Sequence, residues 1–498
     1  MKITLTANEM KLKSILLYVK DVEIRFAGGW VRDKLLNKQS NDIDVALEGM
    51  TGSDYVDKLR VELRLHHGSK MIKTMGKIAM NPDQSKHLET VTGSICGFDC
   101  DFVNLRSETY ADHSRIPEMA LGTPKEDALR RDFTINSLFY NLNKDSIEDF
   151  TGHGLEDLKS KIIRTPLDPM VTFMDDPLRA LRAIRFASRF RYSIIPSILE
   201  ACKSNKLQEA LKKKVSNERI VIELDKTLKS KYFEYGFVLL YSTGLYDCIF
   251  KQDIQLPYKK DNKTQILAIR RINSNLVVKL GRLLQLNTTK QLINIANSPD
   301  KKLLLLSMLY APYKGSLKEL PNLNLFSSYF TTDALKFPKK DNQTAIVLLS
   351  KALEIKETFF DNQKTLDKKS FGIFLRENSV NNDFNTPLLY ASLLYLSESF
   401  EYSFSLETLQ FTDQLDQKTI EFINSTINNI NLNIVQYQFT DIASWKTLLT
   451  GNDIMSLLNI KGPKVKEVLD LVMDYQIEHH PCTKEQVTEW IKQTYNAK

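Results

Sequence analysis

Phe26-Ala27-Gly28-Gly29-Trp30-Val31-Arg32-Asp33, followed by Ser40-Asn41-Asp42-Ile43-Asp44-Val45, is the stretch on which the fold turns. The short run Glu23–Ala27 ends in two glycines and passes into a helical pattern that lasts to Lys38. A strand ending in Gly28-Gly29 before a helix lets backbone N–H groups approach a triphosphate at the positive end of the helix dipole. Arg32, in the first turn, adds charge against those phosphates. Asp42 and Asp44 lie two apart in an alternating segment, residues 42–47, so both carboxylates leave one face of a strand. That spacing suits two Mg²⁺ ions roughly 3.5–4 Å apart over one phosphorus. A third carboxylate is expected from a neighbouring strand. Asp101, in Asp99-Cys100-Asp101-Phe102, is the candidate, with Asp99 on the same face as a rival.

Outward from this block, residues 90–105 alternate like strands, and from about Lys125 the pattern becomes helical. Leu178–Phe190, Asn217–Leu228, residues 266–284, Lys301–Tyr310 and residues 345–353 carry apolar side chains at three- and four-residue spacing. The Asn- and Lys-rich stretches 259–263, 361–369 and 424–433 read as surface connections. The basic opening, through Lys20, runs directly into the first motif and reads as a helix of the fold instead of a cleavable signal. The layout is a small α/β head followed by a long helical body.

Composition agrees with that layout. In 498 residues there are only 18 glycines and 15 prolines, which favours long helices with few breakers. Lys and Arg number 68 against 61 Asp and Glu, a net charge of +7 that permits a nucleic-acid partner without requiring one. The five cysteines (Cys96, Cys100, Cys202, Cys248, Cys482) are odd in number and dispersed, unlike a disulfide framework, and point to a reducing compartment. No stretch approaches 18 apolar residues, so no membrane span is expected.

The ordered motifs resemble the class II tRNA nucleotidyltransferases, the CCA-adding enzymes, of eukaryotic type. The Gly-Gly-x-x-Arg-Asp and Asp-Ile-Asp block is similar to that family's first motif. Arg130-Arg131-Asp132-Phe133-Thr134-Ile135-Asn136 is similar to the second, which in the family holds the ribose and phosphates of the incoming nucleotide; Arg130, Asp132 and Asn136 are the residues it implies. Asp149-Phe150-Thr151-Gly152-His153-Gly154 resembles the third, a support for the hinge. Asp175-Asp176-Pro177-Leu178-Arg179 stands where the family carries Glu-Asp-x-x-Arg, its nucleotide-selecting template, with Asp175 one methylene shorter than the usual glutamate. Asn217-Glu218-Arg219-Ile220, followed by Glu223-Leu224, resembles a fifth, helix-supporting motif. A loop between Asp112 and Glu118 falls where the family has a flexible switch, with Arg115 and Glu118 as its implied pair.

The template motif has a chemical rationale. An aspartate accepts from an exocyclic amine, while a guanidinium donates to the adjacent ring nitrogen or carbonyl. Cytosine and adenine present an amine beside an unprotonated ring nitrogen; uracil and guanine present the reverse. On a helix Asp176 and Arg179 would be i,i+3 neighbours able to read that difference together. A site built this way discriminates by ~10⁴ or more, because the wrong base leaves buried polar groups unpaired. Arg182 extends the nucleotide site. Arg185 and Arg189, on the same helix face, and Lys212, Lys213 and Lys214 further on, form the densest basic cluster and are expected to line a groove for tRNA phosphates. A Gly462-Pro463 turn among Lys461, Lys464 and Lys466 offers a further phosphate grip near the end.

The resemblance thus implies an α+β protein: a small mixed-sheet nucleotidyltransferase head (residues 1–150), a nucleotide-selecting neck (151–230) and an elongated, all-helical body and tail that bind tRNA (231–498). It implies template-independent addition of CCA to the tRNA acceptor end from CTP and ATP, with two Mg²⁺ ions and release of pyrophosphate, by a monomer. A partial enzyme adding only CC or only A, a poly(A) polymerase of the same superfamily, and a catalytically silent RNA-binding scaffold are the open alternatives. Cytoplasmic location is expected, with mitochondrial and nuclear forms open through alternative starts.

Overall fold

The computed structural model describes residues 2–67, 75–78, 90–109, 118–251, 253–260, 263–271, 275–286, 301–317, 323–333 and 336–496. The chain divides into two compact units, Met1–Ile249 and Phe250–Lys498.

The first unit starts with α1 (Ala7–Leu16), capped by Thr6 and Glu9 in a reciprocal box. Then follow β1 (Glu23–Ala27), α2 (Gly29–Leu35), β2 (Asp42–Glu48), α3 (Gly52–His67), β3 (Met75–Ile78), β4 (Thr90–Ile95) and β5 (Phe98–Asn104). A short hairpin of β6 (Arg106–Thr109) and β7 (Glu118–Leu121), helix α4 (Pro124–Leu129), and strands β8 (Phe139–Asn141) and β9 (Ser146–Glu148) complete the head. Seven strands form one mixed sheet in the order β3-β4-β5-β2-β1-β8-β9. Within it β2 and β5 run parallel, joined by the crossover through α3, and the other neighbours are antiparallel. Phe26, Phe102, Phe139, Tyr55 and Trp30 fill the head core, and the buried Tyr55 hydroxyl donates to the Leu16 carbonyl at 2.7 Å, tying α3 to α1. Arg115, one half of the expected switch pair, lies outside the described residues.

Helices continue the unit: α5 (Gly154–Ser160), α6 (Pro169–Asp175), α7 (Leu178–Phe190), α8 (Pro196–Lys203), α9 (Asn205–Lys214), α10 (Asn217–Leu228), α11 (Phe233–Ser242) and α12 (Leu245–Ile249). α7 and α10 have the bounds that their apolar spacing predicts. The third motif fastens the first helix to the head. Asp149 accepts the N–H groups of Thr151 and Leu155, while Asp157 accepts the Thr134 hydroxyl at 2.7 Å and Arg164 at 3.0 Å. A Cβ on Gly154 would lie 2.7 Å from the Thr134 carbonyl, so only glycine permits this approach.

The second unit is mostly helical, but two sequence expectations need correction. Residues 266–270 belong to a strand, Lys263–Arg270, paired antiparallel with Asp253–Lys260; the helix starts only at Leu276. Period-two burial decides it: Ile254, Leu256 and Ile269 turn inward while Ile266 is left exposed. A second hairpin pairs Glu401–Ser405 with Gln410–Gln414. Residues 424–433 are no connection; they lie inside the 20-residue helix Gln417–Gln436. Asparagine is a weak helix former, yet Ile420, Ile423, Ile427 and Ile430 recur at three- and four-residue spacing and are all buried. Asp416 caps the start through the N–H groups of Lys418 and Thr419. Gly462, at φ +70°, and Pro463 do open a helix, Pro463–Glu478.

If the isoleucine stripe holds that helix, Ile427→Ala lowers the stability of the second unit by about 2–4 kcal/mol in denaturant unfolding. Val435→Ala, on the exposed side of the same helix, changes it by no more than about 0.5 kcal/mol.

Candidate active site

Gly28 ends β1 at φ +63° and its N–H donates to the Leu138 carbonyl at 3.0 Å, locking the turn to the residue before β8. A Cβ here would stand 2.6 Å from Nη1 of Arg131, so the missing side chain makes room for a guanidinium. Because the Gly28 amide is already engaged, the amides that remain for a ligand begin at Gly29, in the first turn of α2.

The parallel register of β2 and β5 sets Asp42 beside Asp99 and Asp44 beside Asp101. Four carboxylates therefore share one face of the sheet, and both candidates for the third acidic residue sit on it. Burial pushes the Asp44 carboxyl above its ordinary value; Arg131 opposes this, while Asp101 and Asp42 reinforce it. Asp101 is raised by burial and then by Asp42 and Asp99. Such crowding of like charge is relieved by a divalent cation, so the donor set fits one. Among the described residues no three ligating side chains close a cage by themselves. An open, oxygen-only site of that kind is what Mg²⁺ uses when it keeps waters and takes substrate phosphate oxygens.

A cavity of about 530 Å³ is lined by Asp44, by the Gly28-Gly29 turn and by a wall rich in arginine. Arg32, Arg130, Arg179 and Arg182, named for the nucleotide site, line it with Asp132, Asn136 and Asp176, and Arg189, named for tRNA contact, lines it as well. Arg106, Arg131 and Arg219 line it too, although the sequence reading gave them no part. Arg131 and Arg219 stand inside quoted motifs, so position in the motif was the available signal; Arg106 had none.

One hydrogen-bonded chain orders this wall. Asp33 accepts from Arg32 at 2.7 Å, Arg32 donates to the Asn136 side chain, and Asn136 donates to Asp132 at 2.9 Å. The second oxygen of Asp132 accepts Arg182 at 2.7 Å, and Glu223 of α10 takes Arg185 and, at 3.8 Å, Arg182. Burial by itself would raise Asp132, but Arg182 and Asn136 outweigh it and hold the carboxyl below its ordinary value. Upstream, buried Asp127 grips Arg130 at 2.9 Å and Arg131 at 3.0 Å. Aromatic faces fill the gaps: Phe186 and Phe190 stack at 5.9 Å, and the Arg32 guanidinium lies 5.1 Å from both centroids.

The template residues do not stand as helical i,i+3 neighbours. Asp176 is extended, at φ −138°, just ahead of α7. Its carboxylate accepts the Leu178 N–H at 3.2 Å and Arg219 at 2.7 Å, while Arg179 reaches the Thr172 carbonyl at 3.2 Å. The basic cluster divides as well. Arg185 is 7% exposed and spent on Glu223, so it faces the interior and not a groove. Arg189 reaches Asp33 at 3.5 Å, Lys213 pairs with Glu209 at 3.0 Å, and Lys214 donates to the Met174 carbonyl at 3.4 Å. Lys212 and Lys213 remain on the surface.

Asp132→Asn should cost about 3 kcal/mol at pH 7, at the low end for a broken buried pair because Arg182 is a third exposed. A carboxyl depressed in the folded state stabilises above its unfolded value of about 3.9 and loses that contribution as pH falls through the folded one. The gap between wild type and variant should therefore begin to narrow below about pH 4, so that denaturant unfolding shows a smaller difference at pH 3 than at pH 7.

Residues 24–164 match the family model of the poly A polymerase head domain, and residues 192–253 match that of the probable RNA and SrmB-binding site of polymerase A. A tRNA nucleotidyltransferase (cca2) of Schizosaccharomyces pombe is 33% identical over 467 residues, covering 92% of this chain and 90% of the relative. The mitochondrial CCA tRNA nucleotidyltransferase of Saccharomyces cerevisiae is 31% identical over 526 residues, covering 99% and 94%. Among solved structures, the Thermotoga maritima CCA-adding enzyme complexed with tRNA has the same fold, with a TM-score of 0.59 at 17% identity over 98% of this chain and 96% of that one. A head with paired carboxylates on parallel strands, an arginine-walled cavity and whole-length identity above 30% lead to one conclusion: the chain belongs to the tRNA nucleotidyltransferase family.

Proposed function

We propose that this enzyme adds CCA to the 3′ end of tRNA from CTP and ATP, choosing each nucleotide with protein side chains alone. The observation that carries this reading is one cavity whose lining includes both Asp44 and the pair Asp176 and Arg179. A nucleoside triphosphate laid along it would put its α-phosphate at the carboxylates and its base at the template residues. Relatives named for CCA addition, matched over nearly their whole length, support the same substrate.

In this scheme the terminal 3′-hydroxyl of tRNA attacks the α-phosphorus in line; an O–P bond forms as the bond to the β-phosphate bridge breaks. Asp42, Asp44 and Asp101 would hold two Mg²⁺ ions, which would supply Lewis-acid activation of the hydroxyl and charge neutralisation for pyrophosphate. Arg32 and Arg130, with amides of the α2 turn from Gly29 on, bind the phosphates beside Gly28. Asp132 and Asn136 hold the ribose and, with Arg182, fix the wall. Asp176 accepts the exocyclic amine of C or A and Arg179 donates beside it. Residues 1–150 act as catalytic head, 151–230 as nucleotide-selecting neck and 231–498 as tRNA-binding body, in a monomer. Lys212, Lys213 and Arg189 contribute tRNA phosphate contacts. The Saccharomyces cerevisiae and Candida glabrata relatives are named as mitochondrial, which supports a mitochondrial role beside the cytoplasmic and nuclear one.

The test is to incubate the protein with tRNA ending at the discriminator base, supply CTP and ATP singly and together, and sequence the 3′ ends. CCA from both nucleotides supports the proposal. CC or A alone marks a partial enzyme, long adenosine tails a poly(A) polymerase, and unextended tRNA a silent scaffold. Asp44→Ala should lower incorporation of both nucleotides by about 10³-fold or more, as loss of a group that stabilises the transition state does. Arg179→Ala should instead blur nucleotide choice more than it lowers total transfer.

A further inference from the structure

Arg219, in the first turn of α10, donates to one carboxylate oxygen of Asp176 at 2.7 Å, while the other oxygen accepts the Leu178 N–H at 3.2 Å. Both side chains line the cavity. Asp176 is thereby gripped from two directions, by a cation on α10 and by the first amide of α7. Each carboxylate oxygen keeps a further lone pair, so the group still accepts from a ligand while its plane is fixed. Arg179, by contrast, is anchored to the Thr172 carbonyl, and its backbone N–H to the Asp176 carbonyl at 2.9 Å. The two side chains are thus held by separate partners, the Asp176 carboxylate by Arg219 and the Leu178 N–H, and the Arg179 guanidinium by the Thr172 carbonyl. One turn beyond Arg219, Glu223 takes Arg185 and Arg182, so α10 holds both α7 and the residue that precedes it by two.

Removing Arg219 leaves Asp176, whose side chain is 27% exposed and keeps the Leu178 N–H, so no fully buried charge is stranded. The consequence falls on Asp176: without the guanidinium the carboxylate is free to rotate away from the place where an amine is recognised. That rotation would remove both the attraction for C or A and the repulsion of the carbonyl that U presents there.

We propose that Arg219 is a specificity-positioning residue, which holds the Asp176 carboxylate in the orientation that accepts an exocyclic amine and rejects a carbonyl. This rests on the template reading of Asp176. The experiment compares full-length Arg219→Gln, Arg219→Lys and Asp176→Asn on tRNA ending at the discriminator base, measuring kcat/KM for CTP and UTP separately, with thermal midpoints alongside. The expected result is a fall of about tenfold or more in the CTP/UTP ratio for R219Q, with most of the ratio recovered in R219K at similar midpoints. Should the Gln variant unfold, the charge-retaining Lys variant decides: a ratio between wild type and D176N supports the role. An equal fall for both nucleotides, as a phosphate contact would give, or an unchanged ratio, overturns it. If D176N also leaves the ratio intact, the template reading fails with it; if D176N alone collapses the ratio, only the role of Arg219 falls.

Discussion

The buried carboxylate of Asp132 is the constraint on which this site depends. It is 8% exposed, and its two oxygens face two different parts of the protein: Asn136 and through it Arg32 of α2 on one side, Arg182 of α7 on the other. An isolated buried carboxylate would be costly, so it persists only because both oxygens are paired. The pairing joins the helix after the glycine turn to the helix that carries Arg179. Glu223 repeats the device at the next turn, joining α7 to α10.

The electrostatics of the cavity follow from the same economy. Negative charge is crowded onto one sheet face, where Asp44 and Asp101 are raised by burial and by one another's neighbours. Positive charge forms the rest of the wall, but much of it is already committed: Arg32 to Asp33, Arg130 and Arg131 to Asp127, Arg182 to Asp132. Committed arginines are held in fixed orientations along the cavity, where a guanidinium with five donors can engage more than one acceptor. An arginine-rich wall held in place beside an acidic sheet face has the charge pattern that suits an anionic ligand accompanied by a cation.

How much of this was readable in the sequence depended on the range of the interaction. Gly28-Gly29, the Asp42/Asp44 pair and the bounds of α7 and α10 are local patterns, and each formed the element that its spacing implied. Non-local pairing was less legible. Nothing in the local pattern distinguishes the strand at residues 266–270 from a helix start, because its partner lies in a separate run, Asp253–Lys260. The asparagines of residues 424–433 masked an isoleucine period that tertiary burial rewarded. In the site, the motifs located Asp176 and Arg179 but not their geometry: the real partner of Asp176 is 43 residues away, on α10. Arg185 shows the same limit, since its stripe on α7 looked solvent-facing until Glu223 was seen to cover it.

The account stands most directly on the coupling through Asp132. A double-mutant cycle with Asp132→Asn and Arg182→Gln, read in both unfolding free energy and the CTP/UTP incorporation ratio, measures it. Linkage of head and template helix predicts a coupling of about 1–3 kcal/mol in stability and a double variant no less selective than the worse single one. Effects that add within about 0.5 kcal/mol, with the two variants lowering selectivity independently, would contradict it.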